Sequence, residues 1–226
     1  MKTIAYIDGY NLYYGILRSN GFKWIDIYSL LEIICKIQNP KSELLKVKYF
    51  TAPVKSNFAT HGNDSNKSQQ TYHNALKEIH GDNIEIIKGY HTIDRATPPL
   101  YKNPIDLNDR TEVWKFEEKQ TDVNIAMNMY RDAIREEYGQ QVLVSSDSDL
   151  EAALKFIKED KPEITIGLVM PKPKLTDDRK ARPITAYLDN HSHWTRDHIL
   201  DEECLKSLLP DKIPTKKKPI VKPHYW

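Results

Sequence analysis

Short apolar runs alternate along the chain with longer stretches of helical period, and that alternation leaves few architectures open. Residues 3–8, 44–51, 84–90, 141–146 and 164–170 read as strands. They are dominated by Ile, Val, Leu and aromatic side chains with little polar alternation, the mark of a strand buried on both faces. Between them lie predicted helices. Asp26 caps one that carries Ile27, Leu30, Leu31, Ile34 and Ile37 on one face. Residues 68–80 form another, with Tyr72, Ala75, Leu76 and Ile79 inward. Residues 122–137 follow, with Val123, Ala126, Met127, Tyr130, Ala133 and Ile134 as the apolar stripe. Leu150, Ala153, Leu154 and Ile157 mark one more. Strands alternating with helices imply an α/β fold with a mostly parallel central sheet covered on both faces.

The remaining stretches are less periodic. Residues 94–110 hold Pro98, Pro99 and Pro104 and read as a long loop, and 112–118 as a strand or hairpin arm. Residues 182–209 suggest a helix or two. Residues 210–226 are rich in Pro and Lys and read as a basic, flexible tail after a domain spanning 1–209. Lys+Arg numbers 33 and Asp+Glu 32, so the formal charge of +1 excludes a uniformly basic protein but not a local basic groove. The two cysteines, Cys35 and Cys204, make neither a disulfide framework nor a paired zinc motif. The apolar run at 4–7 is cut by Asp8, too short for a secretory core or a membrane span. The expectation is a cytoplasmic protein without membrane contact.

In open parallel sheets, ligands bind at the carboxyl ends of the strands. Asp8 directly follows the first strand, and Asp147 and Asp149 follow the strand at 141–146. Asp122 opens a helix that leads into that second strand, so its start belongs at the same edge. Carboxylates gathered at close range repel one another, and a hard divalent cation among them relieves the repulsion. No Walker lysine loop, GxGxxG, HExxH or GxSxG motif is present. An all-carboxylate cluster without these points to metal-assisted phosphoester chemistry. Each acid also has a structural reading. Asp8 precedes Gly9 as in a turn, Asp122 suits a helix N-cap, and Ser148 with Glu151 forms an S-x-x-E capping box.

Three segments together, IDGYN at 7–11, KQTDVNIAMNM at 119–129 and VLVSSDSDL at 142–150, resemble the signature motifs of the NYN domain. More narrowly they are similar to the LabA/DUF88-like branch of the PIN-like nuclease superfamily. The resemblance implies a three-layer α/β/α PIN-like fold and a Mg²⁺- or Mn²⁺-dependent nuclease acting on RNA. It assigns Asp8, Asp122, Asp147 and Asp149 as catalytic metal ligands. It makes Asn11, Lys119, Ser145 and Ser146 the expected substrate contacts. It also leaves a homodimer as an expectation, since PIN-like domains commonly pair. Ser146 stands where the family usually has glycine, and Leu150 where an aromatic residue is frequent. The rival reading is a non-catalytic RNA-binding or regulatory adaptor with the same fold. A phosphatase of the haloacid-dehalogenase kind ranks lower, because it needs D-x-D where this chain has Asp8-Gly9-Tyr10.

Other features attract weaker readings. His191, His193 and His198, with Cys204, are zinc-type ligands at a spacing that fits no defined zinc motif, so capping or solvated histidines are expected. Arg95, Lys102 and Arg110, with the basic stretch at 172–182, suit one wall of a nucleic-acid groove. Tyr10, Tyr13 and Tyr14 lie beside Asp8 as candidates for base stacking, with at least one expected in the core.

Overall fold

A six-stranded sheet, parallel throughout, runs through the centre of the computed structural model, which describes residues 1–19, 21–174 and 186–226. Its strands are β1 (Lys2–Asp8), β2 (Glu43–Thr51), β3 (Ile84–Lys88), β6 (Gln140–Val144), β7 (Thr165–Val169) and β8 (Trp194–Arg196), in the order β3-β2-β1-β6-β7-β8. β1 is central and pairs with β2 on one side and β6 on the other. The chain therefore leaves β1 in one direction and returns on its far side, which opens a crevice at the carboxyl ends of β1 and β6. Side chains alternate along β1 between two cores. Ala5 and Ile7 join α2 (Ile27–Gln38) and α3 (Asn63–His80) on one face. Ile4 and Tyr6 join α4 (Thr121–Arg135) and α5 (Glu151–Asp160) on the other. These are the three layers of an α/β/α PIN-like fold.

The described residues correct several expectations. In α4 the inward positions are Ile125, Met129, Asp132 and Ala133, whereas Val123, Met127 and Ile134 of the expected stripe are exposed. Ala126, Tyr130 and Ala133 of that stripe do pack inward, so counting apolar residues shifted the face rather than inverting it, because the true face carries a charge. Asp132 is buried and accepts hydrogen bonds from Lys48 Nζ on β2 at 2.5 Å and from the Tyr6 hydroxyl at 2.9 Å. Ile37 and Ile79 also face outward. α3 begins at Asn63, five residues before the expected start. β8 is a strand where only helices were expected.

The strand or hairpin arm expected at 112–118 is found, and residues 97–110 of the expected long loop are irregular apart from the bridge between Pro99 and Arg110. Together they belong to a projecting arm. β3 stops at Lys88, Gly89 breaks the chain, and β4 (Tyr90–Ala96) pairs antiparallel with β5 (Val113–Lys119) as a separate two-stranded sheet. Residues 210–226, expected as a flexible tail, fold back on the body. A short antiparallel pair, β9 (Lys212–Ile213) and β10 (Ile220–Val221), returns the chain, and Trp226 packs beside Trp24 and Tyr72.

Candidate metal centre

β1 delivers Asp8 to the crevice and the next turn fixes it. Asp8 caps the helical turn Gly9–Leu12 and accepts from the Asn11 backbone amide at 2.9 Å and the Asn11 side-chain amide at 2.5 Å. The Ser145 hydroxyl donates to it at 2.9 Å from the end of β6. Gly9 is required beside it, because a Cβ there would lie 2.5 Å from the Phe50 carbonyl and 2.8 Å from the Tyr49 ring. The IDG segment thus sets an acid against the sheet edge with no side chain between it and β2.

Asp147 follows β6 and caps the turn Ser148–Leu150, accepting from the Asp149 amide at 3.0 Å. The expected cap by Ser148 is not formed, since α5 starts only at Glu151. Asp122 lies in the first turn of α4 and caps nothing, because Gln120, at φ 74°, occupies the N-cap position without a side-chain bond. One carboxylate oxygen each from Asp8, Asp122 and Asp147 lies within 4.8 Å of the other two. Asp149 is exposed and outside this triad, although its charge is felt at Asp122.

The electrostatics show unrelieved negative charge. Burial, and then Asp147, Asp8, Glu118 and Asp149, push the Asp122 carboxyl up to about 6. Burial also raises Asp8, against the hydrogen bonds from Asn11 and Ser145. The cleft around the triad, of about 230 Å³, is lined by Tyr10, Asn11, His91, Phe116, Glu118 and Thr121 besides the three acids, with no lysine or arginine among them. All three donors are hard carboxylate oxygens, the set a divalent cation such as Mg²⁺ or Mn²⁺ takes. Opposite ligands of such an ion stand about 4.2 Å apart, so the spacing fits within a small side-chain adjustment. The triad could hold a divalent metal ion.

The expected substrate contacts fare differently. Ser145 is fully buried and has no surface to offer a substrate, which corrects that reading. Its hydroxyl donates to Asp8 and accepts from the Asp147 amide at 3.0 Å, tying the two acids together. Asn11 uses both ends of its amide inside the site, donating to Asp8 and accepting from the Ser146 hydroxyl. Ser146, where glycine is usual, thereby bridges the first and third motifs. Lys119 lies at the end of β5 with its ammonium on Glu117 at 2.5 Å, and it is not among the residues lining the cleft.

Sequence reading missed Glu118, His91 and Phe116, all on the arm. Burial raises the Glu118 carboxyl, and Thr121 donates a hydrogen bond to it. Alternate residues Trp114, Phe116 and Glu118 on β5 were the available signal, hidden by the long connection before them. The histidines are not brought together as a zinc site. The His193 ring accepts the Ile166 amide at 2.9 Å, His191 lies 3.4 Å from Glu151, and His198 lies 2.5 Å from Asp197. Arg95 pairs with Glu112, Lys102 with Asp109, and Arg110 donates to the Thr97 carbonyl at 2.5 Å. Residues 175–182 of the second basic stretch lie outside the described residues.

The sequence profile of the NYN domain matches residues 2–184. The chain belongs to the NYN domain family. NYN proteins are typically nucleases, and the family implies nucleic-acid binding. The 6-hydroxy-3-succinoylpyridine 3-monooxygenase of Pseudomonas putida is 35% identical over 244 aligned positions, covering 100% of this NYN chain and 75% of that protein. A solved structure of a Vibrio parahaemolyticus protein of unknown function superposes with a TM-score of 0.50 at 13% identity, over 92% of this chain and 96% of that one, and it supports the fold alone. Among the described residues no helix is long and apolar enough to cross a membrane.

Proposed function

We propose that this NYN domain is a metal-dependent endoribonuclease using Mg²⁺ or Mn²⁺. The observation that carries the reading is the convergence of Asp8, Asp122 and Asp147, from three chain segments, on one sheet edge in a cleft lined by no lysine or arginine. These three would hold the cation, with Asp149 reaching it directly or through water. A divalent cation bound there supplies charge neutralisation at a phosphate and a water of lowered pKa. The chain's own groups prepare the place. Three hydrogen bonds hold Asp8 in one orientation, Ser145 ties it to the Asp147 backbone, and Asn11 with Ser146 clasps the two loops. These last three act as positioning residues.

Two other readings meet specific observations. An idle-site adaptor has no need of Asp122, which caps nothing and is held at raised pKa among like charges. The name of the Pseudomonas relative favours a small aromatic substrate, and Tyr10, His91 and Phe116 offer ring contacts. Ring contacts alone, however, give the three converging carboxylates no role, whereas phosphodiester hydrolysis uses them to hold a cation.

The test is cleavage of end-labelled single-stranded RNA and DNA in Mg²⁺, Mn²⁺ or EDTA, beside an Asp8→Asn/Asp147→Asn variant. The expected result is metal-dependent RNA cleavage to 5′-phosphate and 3′-hydroxyl ends, lost in EDTA and in the variant. RNA bound but uncut would give the adaptor, and turnover of 6-hydroxy-3-succinoylpyridine without cleavage would give the relative's chemistry.

A further inference from the structure

The arm formed by β4 and β5 carries an exposed aromatic face that runs into the acid cleft. Directly opposed residues of an antiparallel pair share a face, and the register sets Trp114 against Arg95, Phe116 against Ile93 and Glu118 against His91. Positions two apart on a strand are about 6.7 Å apart, so Trp114, Phe116 and Glu118 form a line. Its inner end, Phe116, Glu118 and His91, lines the cleft with the carboxylate triad. The rings are contiguous. His91 lies 4.7 Å from Phe116, Phe116 5.8 Å from Phe58, and Phe58 6.3 Å from Trp114. Trp114 is 68% exposed and Phe116 43%. A second exposed pair, Tyr10 and Tyr14, has ring centroids 4.4 Å apart, and Tyr10 lines the same cleft.

A solitary exposed aromatic needs no explanation, but a contiguous run on a projecting arm does. The cations of the arm are already engaged within it: Arg95, Lys102, Lys115 and Lys119 are each paired with an arm carboxylate, and Arg110 donates to the Thr97 carbonyl. What the arm offers is ring faces, and the ligand with many ring faces that leads to phosphodiester chemistry is an unpaired nucleotide strand. In a duplex those faces are already stacked on one another. Resting on the nuclease reading above, we propose that the Trp114–Phe116 face is a stacking platform for the bases of single-stranded RNA, with Tyr10 and Tyr14 as a second pad. The substrate class is therefore single strands or loops, and duplex is excluded by its own pairing.

The experiment measures binding in EDTA, so that no cleavage is needed. Its probes are a labelled eight-nucleotide oligouridine, an abasic strand of equal length, and a matched RNA duplex. The intact chain should bind the oligouridine at least tenfold more tightly than either control. Trp114→Ala should weaken oligouridine binding by about tenfold, leave the abasic strand unaffected, and leave the salt dependence unchanged, since no charge is altered. Trp114→Tyr should restore most of the loss. Equal binding of oligouridine by the intact chain and Trp114→Ala would overturn the platform while leaving the nuclease reading standing. Tighter binding of the duplex or of the abasic strand would also overturn it. A chain that neither binds nor cleaves any nucleic acid would overturn both.

Discussion

Asp122 sits in the first turn of α4 without capping it, so its carboxylate can be removed without unmaking the helix. Burial and the neighbouring acids make its ionised form unfavourable in the folded state. Asp122→Asn should therefore change activity and stability in opposite directions. Cleavage should fall by about a hundredfold or more. In EDTA at pH 7 the variant should be more stable by about 0.5–1 kcal/mol, a figure kept small because the carboxyl is only partly withdrawn from solvent. Kinetics with thermal unfolding of both proteins check the pair of effects, and a variant that loses stability would mean that the carboxylate has a structural partner. His73 gives the pH prediction. It is almost fully buried on α3 beside Tyr49 and Tyr72, and neither ring nitrogen is hydrogen-bonded. Burial, then Lys88 and Lys77, push its pKa down to about 4, whereas the unfolded chain protonates it near about 6.5. The unfolded state takes up the proton first as pH falls. The contribution of a neutral His73 is thus full above about pH 6.5 and is lost between there and about 4, amounting to about 3 kcal/mol. Denaturant titrations at pH 7 and 4.5 should show a smaller acid loss for His73→Leu than for the parent chain. An equal loss would show that another group governs the acid side.

At the scale of elements, five of the six sheet strands were legible because burial on both faces leaves an apolar run, as at 4–7 in β1 and 142–144 in β6, whereas the three-residue β8 was not. The triad was legible for the same reason, since each acid ends or faces such a run. The pairing within the arm was not. β4 and β5 find each other across the residues between Ala96 and Val113, and no local period marks a pairing over that separation. Glu118, His91 and Phe116 were therefore lost with it. α4 was misread because Lys48 satisfies a buried Asp132, and no single-helix pattern reveals a partner on β2. The arm's root supplies a prediction of its own. Gly89 donates its amide to the Thr51 carbonyl at 2.8 Å, and a Cβ there would lie 2.6 Å from the Lys119 carbonyl and 2.7 Å from the Thr121 hydroxyl. Both crowded atoms flank the step from β5 into α4, which places Glu118 and Asp122. Gly89→Ala should push the arm off the cleft and lower cleavage by roughly tenfold or more, since misplacement of about 1 Å can cost about a hundredfold. Far-ultraviolet circular dichroism should stay unchanged, because the six-stranded sheet does not pass through Gly89. Full activity in this variant would mean that the arm adapts without moving the acids.

Over the whole molecule, the segment after α7 (Asp201–Lys206) closes the face formed by α2 and α3. Its composition argued for a solvated tail, and composition failed because a few residues outweigh the lysines. Trp24 donates its indole N–H to the Pro210 carbonyl at 3.0 Å, and its ring lies 6.1 Å from that of Trp226. The Tyr225 hydroxyl contacts the Ser68 hydroxyl at 2.6 Å and the Asp64 carbonyl at 2.8 Å, both on α3. Lys216, Lys217 and Lys218 fall in the turn between β9 and β10 and leave these contacts undisturbed. The segment therefore ties the start of α3 to the loop before α2, whereas the triad lies at the sheet edge beyond β1 and β6. A substitution here should act on stability and leave the chemistry alone. Trp226→Ala removes a partly buried ring packed on Trp24 and Tyr72. It should destabilise the fold by about 1–3 kcal/mol, the range for burying a large apolar side chain in part. The cleavage rate per folded molecule, at a temperature where both proteins are folded, should match the parent. Equal unfolding midpoints would show that the segment rests on the body without supporting it. A rate loss at unchanged stability would place the segment in the path of the RNA.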